Sequence, residues 1–269
     1  MRFYALCVTA LLPLCAFAQE EEAQNRQEDM RDNLMLLESG YNHEAGIVHH
    51  AFVTYLRPTK DMPWSLSFMQ EWPVPTETHQ LSYTIVTGKD EATGKIYLHD
   101  IMLDYRHQAV LKKCCAFAPR FSLILPTSTA EDASKVLGME IGLPFSLEIG
   151  QYFAVNVNTG TTLRFSAVKK DCKRRHDIET FAGIAPVFAP FSFLNFLVEV
   201  LHRYDVRENI HTLIISPEMR FALDFDVGSL QIVPALGAPM EVLNEEKQFK
   251  AGLFLYLSFE HRAFSVKEK

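Results

Sequence analysis

Charged residues alternate with apolar ones in several stretches of this sequence, and they have the clearest capacity for chemistry. Phe121, Leu123 and Leu125 occupy every second position after Arg120, which puts the arginine on the opposite face of a β-strand. Ten charged residues share this placement: Asp100, Asp104, Arg106, Arg120, Glu140, Glu148, Glu199, Arg203, Glu218 and Arg220. Inside a pore such charges select and orient solutes. If they instead pair with one another, they fill the interior and make it rigid. The sequence leaves both roles open.

Catalytic motifs are missing from the sequence. It contains no Gly-x-Ser-x-Gly elbow, no Cys-x-x-Cys, no His-Glu-x-x-His and no phosphate-binding loop. We therefore predict that the protein is not an enzyme and uses no cofactor. A lipase assembled from dispersed serine and histidine residues is the hydrolytic alternative, and mutation of its serines would abolish that activity.

Four histidines are candidate metal ligands only if the fold brings them together: His43, His49, His99 and His107. The adjacent pair His49 and His50 points to opposite faces of a strand, which is poor geometry for chelation. We interpret these histidines as scattered polar groups, and the sequence predicts no metal site.

The longest alternating stretch lies in residues 136–149. Seven apolar residues from Leu137 to Ile149 share one face, and Glu140 and Glu148 lie on the other. Thirteen residues at about 3.3 Å each reach roughly 43 Å, whereas about nine to eleven residues suffice to cross a bilayer. The stretch predicts a membrane barrel strand, apolar toward lipid and polar toward the lumen. A long strand of a soluble β-sandwich is the alternative.

Strand-like runs follow one another from residue 46 onward, and no convincing helix interrupts them. The predicted strands are 46–57, 65–72, 79–87, 96–108, 115–125, 136–149, 152–165, 178–189, 194–203, 210–223, 229–239 and 249–259. Alternation is weakest in the first and last runs. In the last run, Phe254 and Tyr256 lie opposite Leu253 and Leu255.

The connections between the runs support a barrel. Short breaks near 150–151, 190–193 and 224–228 alternate with longer loops, and bacterial barrels have short turns at one end and long loops at the other. An even strand count also returns the chain to the side on which it started. The predicted fold is therefore all-β, an antiparallel transmembrane β-barrel of about twelve strands spanning residues 46–264.

The ends of the chain have distinct characters. Residues 1–18 combine an early arginine, an apolar run and small residues before Gln19, which predicts a secretory signal peptide. Residues 19–45 form an acidic leader, predicted to be helical or disordered because Leu34 and Leu37 have helical spacing before Gly40. It could be a solvated leader, a pore plug or a partner-binding arm. Residues 265–269 form a charged tail.

Charge limits the range of partners. The net charge of −7 argues against nucleic acid. One predicted outer loop, 166–177, is strongly basic: Lys169, Lys170, Lys173, Arg174 and Arg175. This loop could bind lipopolysaccharide phosphates or attract an anionic solute, or it could simply be solvated. Cys114, Cys115 and Cys172 are the cysteines beyond the signal peptide, and their odd number makes no disulfide framework, although Cys172 could pair with one of the other two.

Four blocks of sequence carry a family resemblance: QEWPVPTETHQLSYTI from Gln70, DIMLDYRHQ from Asp100, APRFSLILPT from Ala118 and LQIVPALGAP from Leu230. They resemble the outer-membrane transporter-like family of the phenol-degradation meta-pathway. The resemblance implies an outer-membrane β-barrel, loosely akin to fatty-acid and aromatic-hydrocarbon channels. Lys95-IYLH departs from the family, in which a glycine-rich stretch is common, and a charged tail follows Phe264, whereas barrel proteins commonly finish on an aromatic residue.

These observations predict a channel in the outer membrane of a Gram-negative bacterium. It would take up small solutes passively, with hydrophobic or aromatic compounds as the candidates, and would contact outer-membrane lipid. The alternatives are a filled barrel with a structural or adhesive role and a secreted soluble β-sandwich that acts as a binding module.

Overall fold

The computed structural model describes residues 34–59, 62–89, 93–130, 135–165, 176–225, 230–243 and 249–263. These residues form one antiparallel sheet in which the first strand pairs with the last, so the sheet closes into a barrel. Ile47 is paired with Arg262 and Leu56 with Leu253 across this closure. The closed barrel excludes the β-sandwich alternative. None of the described residues belongs to a helix long and apolar enough to cross a membrane.

The described part of the sheet consists of nineteen strand segments. They are β1 (Ile47–Leu56), β2 (Trp64–Pro73), β3 (His79–Lys89), β4 (Ile96–Leu98), β5 (Met102–His107), β6 (Val110–Lys112), β7 (Cys115–Phe117), β8 (Arg120–Ile124), β9 (Gly138–Gly142), β10 (Phe145–Ile149), β11 (Phe153–Arg164), β12 (Asp177–Phe191), β13 (Leu194–Asp205), β14 (Ile210–Phe221), β15 (Leu223–Phe225), β16 (Leu230–Gly237), β17 (Met240–Leu243), β18 (Phe249–Ala251) and β19 (Leu253–Arg262).

The segments make up twelve barrel strands, as predicted. Six barrel strands are interrupted and contain the groups β4 to β6, β7 and β8, β9 and β10, β14 and β15, β16 and β17, and β18 and β19. The predicted strand 136–149 is one of these, because it breaks at Leu143 and Pro144. Proline cannot donate to the ladder, and its carbonyl instead accepts the N–H of Ala118, in the break of the neighbouring strand, at 3.3 Å.

The two ends of the barrel differ in their connections. Residues 113–114 and 192–193 make tight turns at one end, here called the turn end, where β1 also begins. The opposite end, here called the loop end, holds the strand ends that flank the longer connections 125–137 and 165–176. This asymmetry is the one expected from the sequence.

The barrel strands expose apolar side chains and bury polar ones, which is the reverse of the pattern in soluble proteins. Along β5, the apolar side chains of Leu103 and Tyr105 are exposed, whereas Asp104 and Arg106 are buried. On β13, Phe196 and Val198 are exposed. A surface of this kind suits lipid, while the polar groups need partners in the lumen.

The first described residues, 34–46, lie inside this barrel and are called the plug here. Leu34, Leu37 and Tyr41 are buried, and the segment is an irregular chain of bends that continues into β1. The helical alternative for the leader therefore does not hold over residues 34–45, where the plug backbone hydrogen-bonds to side chains of the wall instead. Residues 1–33 and 264–269, with the predicted signal peptide and charged tail, lie outside the described residues.

Candidate functional site

Polar side chains of the barrel wall hold the backbone of the plug. The carboxylate of Glu199 accepts the N–H groups of Leu36 at 2.9 Å and Leu37 at 2.8 Å. Asn158 contacts Glu38 twice, accepting its N–H at 3.0 Å and donating to its carbonyl at 2.7 Å. Buried backbone groups need such partners, so these wall residues act as a substitute for a neighbouring strand.

The same arrangement continues toward the turn end. Ser146 Oγ accepts the N–H of Gly40 at 2.7 Å, and Gln108 donates to the Gly40 carbonyl at 2.8 Å. Arg106 Nη2 donates to the carbonyls of Ser39 at 2.5 Å and Tyr41 at 3.2 Å. The plug is thus fixed by contacts along most of its described length.

Apolar contacts anchor the inner end of the plug. Leu34 and Leu37 belong to one buried cluster with Ala185, Val187 and Leu201 of β12 and β13. The inner wall at this point carries small or branched apolar side chains in place of polar ones. Burial of the two leucines between such residues stabilises the seated plug, at roughly 1.5–3 kcal/mol for each fully buried leucine.

A second apolar patch explains the weak alternation of the first and last strands. Ala51 and Tyr256 are buried on the inner face, and Val53 and Met69 pack beside them together with Met35 of the plug. The inner faces of β1 and β19 are therefore partly apolar, which blurs the contrast between the lipid face and the lumen face.

Arg120 joins the plug to the wall. Its guanidinium donates to the carboxylates of Glu38 in the plug and Glu140 in β9. Asp104 lies 4.0 Å away, and Glu140 also accepts a hydrogen bond from Thr162 at 2.6 Å. One arginine thus lies among three carboxylates, so this part of the lumen is acidic.

A cavity of about 660 Å³ lies between the plug and the loop end. Residues 34–38 of the plug form part of its lining. The wall contributes apolar side chains, among them Met69, Met102, Ile124, Phe181 and Leu201, and charged ones, among them Arg106, Arg120, Glu140, Arg164 and Arg203. The cavity is therefore amphipathic.

Ion pairs surround the cavity near the loop end. Arg207 Nη1 donates to Asp177 at 2.5 Å, and Arg203 lies 3.6 Å from Glu179. The hydrogen bond from the exposed Arg207 to Asp177 raises the pKa of Arg207 above its usual value. Arginine side chains stay protonated in proteins, so Arg207 is a cation beside the cavity.

The ten charged residues predicted for the lumen take different positions. Arg106, Arg120, Glu140 and Arg203 line the cavity. Asp104 adjoins Arg120, and Glu199 binds the plug. Glu148, Glu218 and Arg220 are buried within the barrel, and Glu218 accepts a hydrogen bond from Ser216 at 2.8 Å.

Asp100 differs from the other nine. It lies in the break between β4 and β5, where its carboxylate accepts hydrogen bonds from Arg164 at 2.6 Å and the N–H of Ser128 at 3.0 Å. Asp100 thereby ties the 125–137 connection to the barrel. The basic residues Lys169, Lys170, Lys173, Arg174 and Arg175 lie outside the described residues.

Several plug-binding residues are uncharged and were not among the residues predicted from the charge pattern. Asn158, Ser146, Gln108 and Gln80 all accept N–H groups from the plug. Asn158 and Ser146 alternate with lipid-facing residues as the charged residues do, so their placement on the inner face was available as a signal.

The structure also brings together two of the four histidines. His43 of the plug and His49 of β1 have ring centroids 4.5 Å apart. His107 instead lies against His79 and His99 against Tyr97. The sequence could not show this difference, because it depends on where the plug runs.

Solved structures share this architecture. An outer membrane channel from Pseudomonas putida F1 aligns with a TM-score of 0.60 over 82% of this chain and 97% of its own, at 11% identity. The fold is that of outer-membrane channels. The NanC porin gives a TM-score of 0.53, 5% identity and coverage of 80% and 98%. The KdgM porin gives 0.52, 6% identity and coverage of 79% and 98%.

These low identities establish the fold alone. No family model matches the sequence, and no curated protein matches it. The resemblance to the phenol meta-pathway family therefore stays a prediction. The geometry adds a cavity able to accommodate a small amphipathic molecule and a plug that occupies the lumen beside it.

Proposed function

We propose that the protein is an outer-membrane channel that lets small amphipathic solutes diffuse through a lumen controlled by the plug. The cavity of about 660 Å³ beside the plug carries this proposal. Its volume falls in the range of about 300–1,000 Å³ that is usual for small-molecule sites. Hydrophobic or aromatic compounds with a polar group are the candidate solutes.

The cavity is lined by apolar and by charged side chains, and this mixture motivates the choice of solute. Met69, Ile124 and Phe181 offer apolar surface to a ring or short chain, and Arg120 and Arg203 offer hydrogen-bond donors to its polar end. A diffusing solute needs sites that are favourable enough to enter and weak enough to leave. The mixed lining fulfils this condition better than a fully charged or fully apolar one.

The membrane location and the partners belong to the same proposal. The exposed apolar side chains, the fold shared with outer-membrane channels and the predicted signal peptide at residues 1–18 support insertion into the outer membrane of a Gram-negative bacterium. The basic residues 169–175 would then meet lipopolysaccharide phosphates at the outer surface.

The plug also favours a second candidate, a filled barrel with a structural or adhesive role. The backbone of the plug hydrogen-bonds to side chains of the wall. A plug that stayed bound there permanently would leave no continuous path for solutes. The two functions differ in whether solute crosses the barrel.

Liposome swelling distinguishes them. Residues 19–269 and a variant without residues 19–41 are refolded, inserted into liposomes and compared with phenylacetate and a neutral aromatic alcohol. We expect swelling with the full protein and faster swelling with the truncated variant. Swelling with the variant alone would make the plug a closed gate. A folded barrel that admits neither solute in either form would support the filled-barrel role and contradict the channel.

A further inference from the structure

Three inward-facing residues of the wall and one residue of the plug meet where the plug joins the barrel. His49 of β1 is paired directly with Glu260 of β19 and with Glu71 of β2. His43 of the plug lies over His49, with its ring centroid 4.5 Å away. The group therefore spans the closure of the barrel and includes the plug.

One carboxylate orients both imidazoles. Glu71 Oε2 is 2.9 Å from His43 Nε2 and 2.8 Å from His49 Nδ1. Its other oxygen accepts a hydrogen bond from Gln80 at 2.7 Å, and both Glu71 and Gln80 are fully buried. An ionised carboxylate only accepts hydrogen bonds, so with Glu71 ionised this geometry calls for protons on His43 Nε2 and His49 Nδ1.

The remaining ring nitrogens face a second carboxylate. Glu260 Oε1 lies 3.5 Å from His43 Nδ1 and 3.9 Å from His49 Nε2. All three ligand atoms fall within 4.8 Å of one another. In a neutral imidazole the nitrogen without a proton carries a lone pair, so two nitrogen lone pairs and a carboxylate converge.

We propose that His43, His49 and Glu260 bind a divalent transition metal ion of the zinc class, which fastens the plug to the closure of the barrel. Two histidines and a glutamate form an established zinc ligand set, with zinc–ligand distances of about 2.0–2.2 Å. Tetrahedral ligands at that distance lie about 3.3 Å apart, so donors that now lie within 4.8 Å of one another must approach by up to roughly 1.5 Å. A fourth position remains for water or Tyr256, whose hydroxyl is 3.4 Å from His49 Nε2.

Glu71 has the role that an outer carboxylate has in zinc sites. Metal-binding histidines usually donate their second N–H to a carboxylate, which fixes the ring and makes the ligand more basic. Glu71 does this for both histidines at once. An ion-pair network that holds protons in place of a metal would use the same residues, and the experiment must separate the two.

Zinc binding is measured on residues 19–269, refolded without a polyhistidine tag and stripped with a chelator. We expect the protein to bind one zinc ion per chain, by atomic emission after gel filtration and by calorimetric titration. The variants His49→Gln and Glu260→Gln should lose this binding, and Glu71→Gln should weaken it about 10–100-fold. His50→Gln is the matched control, because His50 lies next to His49 on the opposite face, and it should bind like the original protein.

The site is excluded if the original protein and His49→Gln take up equal zinc, or if Glu260→Gln binds as tightly as the original. The side chain of Glu260 is 18% exposed and is replaced by an isosteric amide, so this variant should fold even if His49→Gln does not. A gel-mobility shift on boiling verifies folding of each variant. The measurement is independent of solute flux, so its failure would leave the proposed channel untouched.

Cobalt gives a second readout. A tetrahedral site of two imidazoles and a carboxylate should give cobalt an intense visible spectrum that zinc displaces stoichiometrically. A weak spectrum of the octahedral kind would show surface binding and contradict the proposal.

Discussion

Arg120 is the residue at which plug, wall and cavity meet. It contacts Glu38 and Glu140, approaches Asp104 and lines the cavity. Removing one partner of a buried ion pair leaves its counter-charges unpaired, at a cost of about 3–5 kcal/mol when burial is complete. The Arg120 side chain is 16% exposed, so we expect a smaller loss of stability and a larger change in the electrostatics of the lumen.

Replacement of Arg120 by glutamine should make the channel more cation-selective. The carboxylates of Glu38, Asp104 and Glu140 would remain in the lumen without their cation. Reversal potentials in a potassium chloride gradient across a planar bilayer measure the change. Arg262→Gln, an exposed position at the turn end, is the control and should leave the selectivity unchanged. Equal reversal potentials for Arg120→Gln and the original protein would contradict the placement of Arg120 in the conduction path.

The plug is the element on which the proposed function depends. Its position inside the lumen rests on a close approach of backbones at Gly40. A Cβ atom at this residue would lie 2.5 Å from the carbonyl oxygen of Ala116 and 2.8 Å from the N–H nitrogen of Ser146. Backbone atoms cannot move aside as a flexible side chain can, so only glycine fits.

Gly40→Ala should therefore loosen the plug and raise the rate of solute entry. Overpacking of this kind costs about 1–3 kcal/mol. Gly142→Ala provides the control, since the three heavy atoms nearest to a Cβ atom there all belong to Arg120, at ordinary contact distances of 3.6 Å and more. Liposome swelling and protease cleavage of the plug measure the two effects. Equal swelling rates and equal protease cleavage in the two alanine variants would contradict the close packing described for Gly40.

A disulfide tests the location of the plug directly. The hydroxyl oxygens of Ser39 in the plug and Ser146 in β10 are 3.5 Å apart. In a background with the natural cysteines replaced by serine, Ser39→Cys and Ser146→Cys should oxidise within one chain and give a faster band on a boiled, non-reducing gel. Ser39→Cys with Thr159→Cys is the control, because Thr159 is exposed on the outside of β11. Equal cross-linking in both pairs would show that the plug leaves the lumen.

At the scale of the whole molecule, closure between β1 and β19 removes both edges of the sheet. All barrel strands then have neighbours on both sides, and the exposed apolar side chains need lipid or detergent. These two properties predict how the isolated protein behaves.

We expect residues 19–269 refolded in detergent to resist SDS at room temperature. They should run as a compact band that shifts to the mobility of the unfolded chain on boiling. A monomer that stays soluble without detergent and shows no shift would contradict the membrane barrel. The variant lacking residues 19–41 should still shift, because the barrel strands begin at Ile47.

The sequence by itself determined the strand-rich region and the two faces of its strands, whereas closure into a barrel came from the structure. Alternation along a strand assigns each side chain to one of two faces, so residues such as Leu103 and Asp104 could be placed on lipid and lumen without any knowledge of the neighbouring strands. A count of about twelve strands and the difference between the two ends followed from the runs and their breaks. Such features depend on neighbouring residues in the sequence and on the two-residue period of a β-strand.

Only the tertiary structure decided what the lumen contains. The plug shows no alternation of apolar and polar residues. Its backbone groups hydrogen-bond to side chains up to 163 residues away in sequence, such as Glu199. The cluster of His43, His49, Glu71 and Glu260 likewise depends on strand register, closure of the barrel and the path of the plug. Contacts of this kind are set by the three-dimensional course of the chain, and alternation along a strand carries no information about them.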